Sequence, residues 1–220
     1  MASYFITGTG TDVGKTYVTA GLIRAGRELK RDFAAIKPVL SGYDPQDVSG
    51  TDPARLLAAM GRPITAQNIA TISPWRFAAP LSPDMAGVRE GRRIVFNDVT
   101  IFCQAAIEAA RGTLLIEGVG GAAVPLNDQH LIVDLMVALK LPAILVAGTY
   151  LGTISHTVTT GAFLAAHGIR VAAVVLSESE VSPVLPEETA ATLARFISCP
   201  IHIVQRDFDD GALRKLAATL

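Results

Sequence analysis

Short apolar runs alternate along the chain with longer stretches in which apolar positions recur at helical spacing. The runs are SYFIT, FAAIKPV, TLLIE, AILVAG, VAAVVL and IHIV. The stretches between and after them predict helices over Lys15 to Glu28, Asp52 to Met60, His130 to Leu139, Ser155 to His167, Glu187 to Phe196 and Asp210 to Leu220. Strands that are apolar on both faces and separated by helices belong in a parallel sheet covered on both sides. One more helix, over Asn97 to Ala110, would open on an Asn cap and stop before Gly112. The pattern predicts an α/β fold: a doubly wound, mostly parallel sheet with helices on both faces. Ser41 to Gly50 and Ser177 to Pro186 read as loops, and no repeat or long linker divides the chain, so residues 1–220 are expected to form a single domain.

Composition supports a sizeable core and narrows the partners. Half of the 220 residues are apolar, and the 19 basic and 20 acidic side chains are interspersed, for a net charge of -1. No basic patch for nucleic acid or an anionic membrane stands out, so any anion site must be local. Cys103 and Cys199 are too few for a disulfide framework and read as two buried thiols in a reducing compartment. Met1 to Tyr4 lead straight into a strand without a leader or spanning pattern, and a cytoplasmic protein is expected.

In doubly wound sheets ligands bind beyond the carboxyl ends of the strands. After the first strand comes GTGTDVGKT, Gly8 to Thr16. Five residues separate Gly8 from Gly14, one more than the strict phosphate-loop spacing, and the dinucleotide pattern also misses by one. A bare glycine turn is one reading. Lys15-Thr16 at the opening of a helix favours the other: backbone N–H groups and the dipole suit a phosphate, Lys adds charge, and the Thr hydroxyl can ligate Mg²⁺.

The other strand ends leave alternatives open. Glu117 closes TLLIE before GVGG and is either an exposed strand-terminal acid or a second Mg²⁺ ligand. Asp52, in Thr51-Asp52-Pro53, suits a helix start and a metal contact equally. Lys37, in IKPVLSG, is either a solvated charge or a second cation near Lys15, with Ser41 and Gly42 lining the same cleft. In YLGTISH, Ser155 can cap a helix whose first amides, Thr153 to Ser155, would receive a carboxylate. His156 reads as packing or surface.

GTGTDVGKT, IKPVLSG, FAAPLSP, IEGVGG and LGTISH, in this order and spacing, closely resemble the dethiobiotin synthetase family, over nearly the whole chain and most densely from Phe5 to His156. The family's loop carries the same five-residue gap. The resemblance implies a P-loop NTPase-like fold and a homodimeric, Mg²⁺-dependent enzyme of biotin biosynthesis. It would close 7,8-diaminononanoate with CO₂, drawn from bicarbonate, and ATP into dethiobiotin by way of a carbamate and a carbamic-phosphoric anhydride. It implies Lys37, Lys15 and Thr11 as catalytic residues and Thr16, Asp52 and Glu117 as metal ligands. The nucleotide would meet Asp12, Val13, Gly14, Lys15, Thr16, Tyr17, Asp52, Glu117, Gly118, Val119, Gly120 and Ser177. The substrate would meet Thr11, Asp12, Lys37 and Ser41, with its carboxylate tail on Gly152, Thr153 and Ser155 of the other subunit.

Four positions depart from the family pattern: Ser177 and Ser155 stand where Asn is common, Asp84 where His is frequent, and IHIVQR replaces a Gly-x-Ile-Pro strand end. Rival readings fit less well. A cobyrinic acid amide ligase carries a fused glutaminase domain for which 220 residues leave no room. A partitioning ATPase has an early extra Lys where Gly10 or Thr11 stands here, and a GTPase has an Asn-Lys-x-Asp motif that is missing after the fifth strand.

Overall fold

A computed structural model describes residues 2–206 and 211–220. The elements are β1 (Ser3–Gly8), α1 (Lys15–Glu28), β2 (Phe33–Ile36), β3 (Val39–Ser41), α2 (Asp52–Ala59), α3 (Ala66–Ile72), β4 (Trp75–Phe77), α4 (Pro83–Arg89) and α5 (Phe96–Ala109). They continue with β5 (Thr113–Glu117), α6 (Ile132–Leu139), β6 (Ala143–Ala147), α7 (Thr153–Ala166), β7 (Val171–Ser177), α8 (Pro186–Leu193), β8 (Ile201–Val204) and α9 (Gly211–Thr219). The predicted start of the last helix at Asp210 lies outside the described residues.

The main sheet has six strands in the order β2-β5-β1-β6-β7-β8, every neighbouring pair parallel. Each of the six apolar runs supplies one of them. β1 lies at the centre between β5 and β6, with Ile6 opposite both Glu117 and Ile144. The winding direction reverses there, so the loop after β1 emerges at the switch point where such sheets bind ligands.

Strand alternation distributes the core over both faces. In β6 and β7, Ile144, Val146, Ala173 and Val175 join the larger apolar cluster, which also holds Leu22 and Ile23 of α1 and Leu213 and Leu216 of α9. Their neighbours Leu145, Ala147, Val174 and Leu176 join a smaller cluster with Leu193 of α8 and Val158 of α7. Both faces are thereby removed from water, as continuous apolar strands require.

FAAIKPV proves to be two strands. The Lys37 N–H leaves the sheet to donate to the Ile72 carbonyl at 2.9 Å, and Pro38 has no N–H to continue the ladder. The chain then forms β3, which pairs with β4 in a separate two-stranded parallel sheet, Val39 opposite Trp75. The elements α3, β4 and α4 that surround it were not predicted. The Asn97 cap is also overturned: α5 starts at Phe96, which stacks on His130 at 4.1 Å, and Val95 in the cap position offers no side-chain bond. Cys103 is buried, and desolvation pushes its thiol up to about 12. Cys199 is only half-buried, contrary to expectation, because β8 lies at the sheet edge. Among the described residues no helix is long and apolar enough to cross a membrane.

At the opposite end of the sheet, the Thr113 N–H at the start of β5 donates to the Asp32 carbonyl at 2.8 Å. Gly112 lies so close that a Cβ there would fall on that carbonyl oxygen and 2.8 Å from its carbon. Gly112→Ala is expected to lower stability by about 1–3 kcal/mol, as overpacking does. Urea unfolding checks this; a change below about 0.5 kcal/mol, the level of a neutral surface substitution, would contradict the close approach.

Candidate functional site

A cavity of about 1110 Å³ opens above the carboxyl ends of the strands. Its floor is the loop between β1 and α1, and its walls come from the segments after β2, β3, β5, β7 and β8. The start of α2 and residues 80–83 complete it.

Gly14, at φ 94°, is the residue before α1, where it takes the left-handed conformation that side chains avoid. Asp12 adopts the same region at φ 57°. No side chain caps α1 and no acidic residue stands in its first turn. The amides at its start are therefore available to an anion rather than to the protein's own carboxylates. Lys15 and Thr16 are nevertheless buried, and the Lys15 ammonium donates to the Gly10 carbonyl at 2.7 Å. Burial first, and the nearby Lys37 charge second, bring the Lys15 pKa down to about 8. An arriving phosphate would oppose both effects.

Behind the loop lies a connected set of charges. Lys37 is 4 % exposed and Glu117 0 %, so neither is the solvated strand-end charge that was one reading of each. The Lys37 ammonium donates to Asp52 Oδ2 and, at 2.8 Å, to Glu117 Oε1. The Thr16 hydroxyl donates to the same Glu117 oxygen at 2.6 Å. Burial disfavours the Lys37 charge, but the Glu117 and Asp52 carboxylates outweigh it and hold the pKa above the ordinary lysine value. Burial likewise opposes the Asp52 charge, and Lys37 with Thr16 draws its pKa below the usual carboxylate range. The helix cap at α2 is Thr51, whose Oγ1 accepts from the Ala54 N–H at 3.4 Å, which leaves the Asp52 carboxylate for Lys37.

Of the predicted residues, Thr11, Asp12, Val13, Gly14, Lys15, Thr16, Tyr17, Lys37, Ser41, Asp52, Val119, Gly120 and Ser177 all line this cavity. Glu117 is beneath it, joined through Thr16 and Lys37. Ser41 Oγ is buried without a hydrogen-bond partner in the chain. Gly118 is buried, donates its N–H to the Ile6 carbonyl at 2.9 Å, and does not face the cavity. Asp84 lines a separate cavity of about 550 Å³ beside α4.

Gly152, Thr153 and Ser155 are also away from the cavity. α7 begins at Thr153, two residues before the predicted start, because Gly152 turns the chain at φ 99° and the Thr153 hydroxyl anchors to the Gly148 carbonyl at 2.6 Å. Ser155 is thus inside the first turn and is not the cap. His156 is exposed, and its Nδ1 meets the Tyr150 hydroxyl at 2.9 Å.

Sequence reasoning missed Arg55, Val124 and the run Glu178 to Glu180, all of which line the cavity. The last three follow β7 directly and could have been found by the strand-end rule already applied to the earlier strands. The Glu178 carboxylate accepts from the Arg206 N–H at 2.9 Å and joins the loops after β7 and β8.

The model of a family described as an AAA domain matches residues 2–203. The ATP-dependent dethiobiotin synthetase BioD of Acidiphilium cryptum (strain JF-5) is 49% identical over 198 residues, 90% of this chain and 89% of that protein. The protein of the same name from Caulobacter sp. (strain K31) is 48% identical over 217 residues, 97% of this chain and 93% of its own length. The chain belongs to the dethiobiotin synthetase family. It is accordingly an enzyme of the ligase class. Among solved structures, the Pyrococcus furiosus cell division ATPase MinD superposes with a TM-score of 0.58 at 15% identity, over 94% of this chain and 84% of that one. The Pyrococcus horikoshii septum site-determining protein MinD, complexed with Mg-ADP, gives 0.56 at 18%, over 99% and 95%. The chain thus shares the fold of these two ATPases.

A Cβ on Gly14 would fall on Ser177 Oγ and 2.9 Å from Ser177 Cβ. Gly14→Ala should therefore cost about 1–3 kcal/mol of backbone strain plus a further penalty for the collision. Adding Ser177→Gly should recover only the second part. Thermal unfolding of the single and double variants checks this; no recovery would place the whole cost in the backbone.

Proposed function

We propose that the enzyme converts 7,8-diaminononanoate, CO₂ and ATP into dethiobiotin, ADP and phosphate. The observation that carries the reading is the set formed by Lys37, Asp52, Glu117 and Thr16, directly behind the phosphate loop and facing one cavity. The names of the relatives favour this reaction among those that such a loop can serve.

Mg²⁺ fits the residues present. Among the described residues no three His, Cys, Asp or Glu side chains gather as a self-sufficient metal site. Two carboxylates and a hydroxyl are instead what a cation shared with nucleotide phosphates needs. Glu117 Oε2 is buried with no hydrogen-bond partner, an oxygen that only a cation or a donor from outside the chain would satisfy. Thr16, Asp52 and Glu117 would hold the ion, which would neutralise charge on the β and γ phosphates.

An amine of the diamine takes up CO₂ as a carbamate. A carbamate oxygen attacks the γ-phosphorus and expels ADP, giving a carbamic-phosphoric anhydride. The second amine attacks the carbonyl, closes the ureido ring and expels phosphate. Lys15 and the amides of Asp12 to Thr16 would hold the phosphates. Lys37 would offset charge on the carbamate and the moving phosphoryl group. Thr11, Asp12 and Ser41 would orient the reacting end. This sequence requires no covalent enzyme intermediate, in keeping with a Cys103 thiol that burial keeps protonated. Val13, Gly14, Tyr17, Val119, Gly120 and Ser177 would shape the nucleotide side, with Gly118 acting from behind through its bond to β1.

The substrate's carboxylate would rest on Gly152, Thr153 and Ser155 of a second copy in a homodimer. Supporting this, α7 has no side-chain cap and no acid in its first turn, and Leu151 beside it is 86 % exposed. We place the reaction in the cytoplasm, where both thiols would stay reduced.

Purified enzyme with Mg²⁺ and ATP should release phosphate only when the diamine and bicarbonate are both present. Hydrolysis that ignores the diamine, or none in its presence, would sink the assignment. Lys37→Ala should lower turnover at least about 100-fold, the scale of losing one preorganised charge contact. It should also cost about 3–5 kcal/mol of stability by leaving a buried carboxylate unpaired. Near-normal turnover would remove Lys37 from the chemistry.

A further inference from the structure

Lys37 has been given two tasks that its geometry does not let it perform together. As a catalytic cation it must reach the carbamate and the transferring phosphoryl group. In the structure its ammonium is committed to Asp52 Oδ2 and Glu117 Oε1. Those are side chains of the set that would hold the divalent cation, and the third member, Thr16, donates to the same Glu117 oxygen.

A metal needs the lone pairs that the ammonium and the Thr16 hydroxyl now use. Glu117 Oε2 stands free of them. Glu117 is fully buried and Lys37 nearly so, which leaves little water to screen a dication from an ammonium on neighbouring oxygens. One or the other must leave. Lys37 has a place to go, because its side chain also lines the cavity together with Leu40, Ser41 and Gly42.

We propose that Lys37 and the divalent cation exchange on these carboxylates. Asp52 and Glu117 act first as positioning residues that keep the lysine folded away, and cation binding releases its ammonium into the substrate chamber. The inference rests on the reading that Thr16, Asp52 and Glu117 hold the metal. It adds that the cation arms the catalytic lysine as well as binding phosphates. The exchange also keeps buried Glu117 paired with a cation throughout.

Mn²⁺ serves as the probe, with free ion counted by electron paramagnetic resonance in nucleotide-free enzyme. Lys37→Gln should bind Mn²⁺ at least tenfold more tightly than wild type, and adding Asp52→Asn should abolish the gain. Equal or weaker binding by Lys37→Gln overturns the exchange. Absence of Mn²⁺ binding by every form overturns it together with the metal assignment, and diamine-dependent phosphate release would then show whether the proposed reaction itself survives. The wild-type chain gives a second measurement should Lys37→Gln not fold. Acetic anhydride labelling, read by peptide mass spectrometry, should modify Lys37 several-fold faster once Mg²⁺ is added, while exposed Lys140 labels at an unchanged rate. Unchanged or slower labelling of Lys37 overturns the proposal.

Discussion

A carboxylate that no water reaches must be matched by a cation, and Glu117 imposes that condition on everything around it. It closes the interior strand β5 beside β1, so its position is fixed by the sheet rather than by a loop. Lys37 reaches it because the chain leaves the sheet at the end of β2, the other neighbour of β5. Thr16 reaches it because α1 begins directly over β1. Asp52 reaches Lys37 because Thr51 takes over the capping of α2. The end of β2 and the start of α1 thus converge with β5 on one desolvated charge, and losing Lys37 would leave it unpaired at a cost of several kcal/mol. Such a set stabilises less than apolar packing of the same volume would.

Much of this was legible in the sequence. All six strands of the main sheet appear as apolar runs, and α1 spans the predicted residues. Strand ends gave most of the cavity lining, because in this topology the site is built where strands stop. The failures have physical causes. α3, β4 and α4 are each of seven residues or fewer, too short for a periodicity to show, and are set by contacts with their neighbours. Ser155 looked like a cap because a hydroxyl residue often is one, but the turn at Gly152 and the Thr153 anchor move the start of α7. Whether Lys37 and Glu117 are solvated or buried depends on which strands become neighbours, and no local pattern encodes that.

The resemblance to dethiobiotin synthetases pointed to one family where single motifs fitted several, since five motifs in register constrain more than each alone. Its limits follow from the same geometry. Gly118 belongs to a matching motif yet turns its N–H to β1, and Asp84 departs from the pattern at a place outside the main cavity. A motif fixes the order of residues along the chain, whereas the sheet decides which of them face a ligand.

The close approach of Gly14 to Ser177 has an evolutionary consequence. The loop before α1 and the end of β7 touch through a hydrogen atom on one side and a small hydroxyl on the other. Neither can grow without moving its neighbour. Drift at residue 177 is therefore constrained by the loop before α1, and an engineer who wished to enlarge the side chain at either position would have to vary both segments at once.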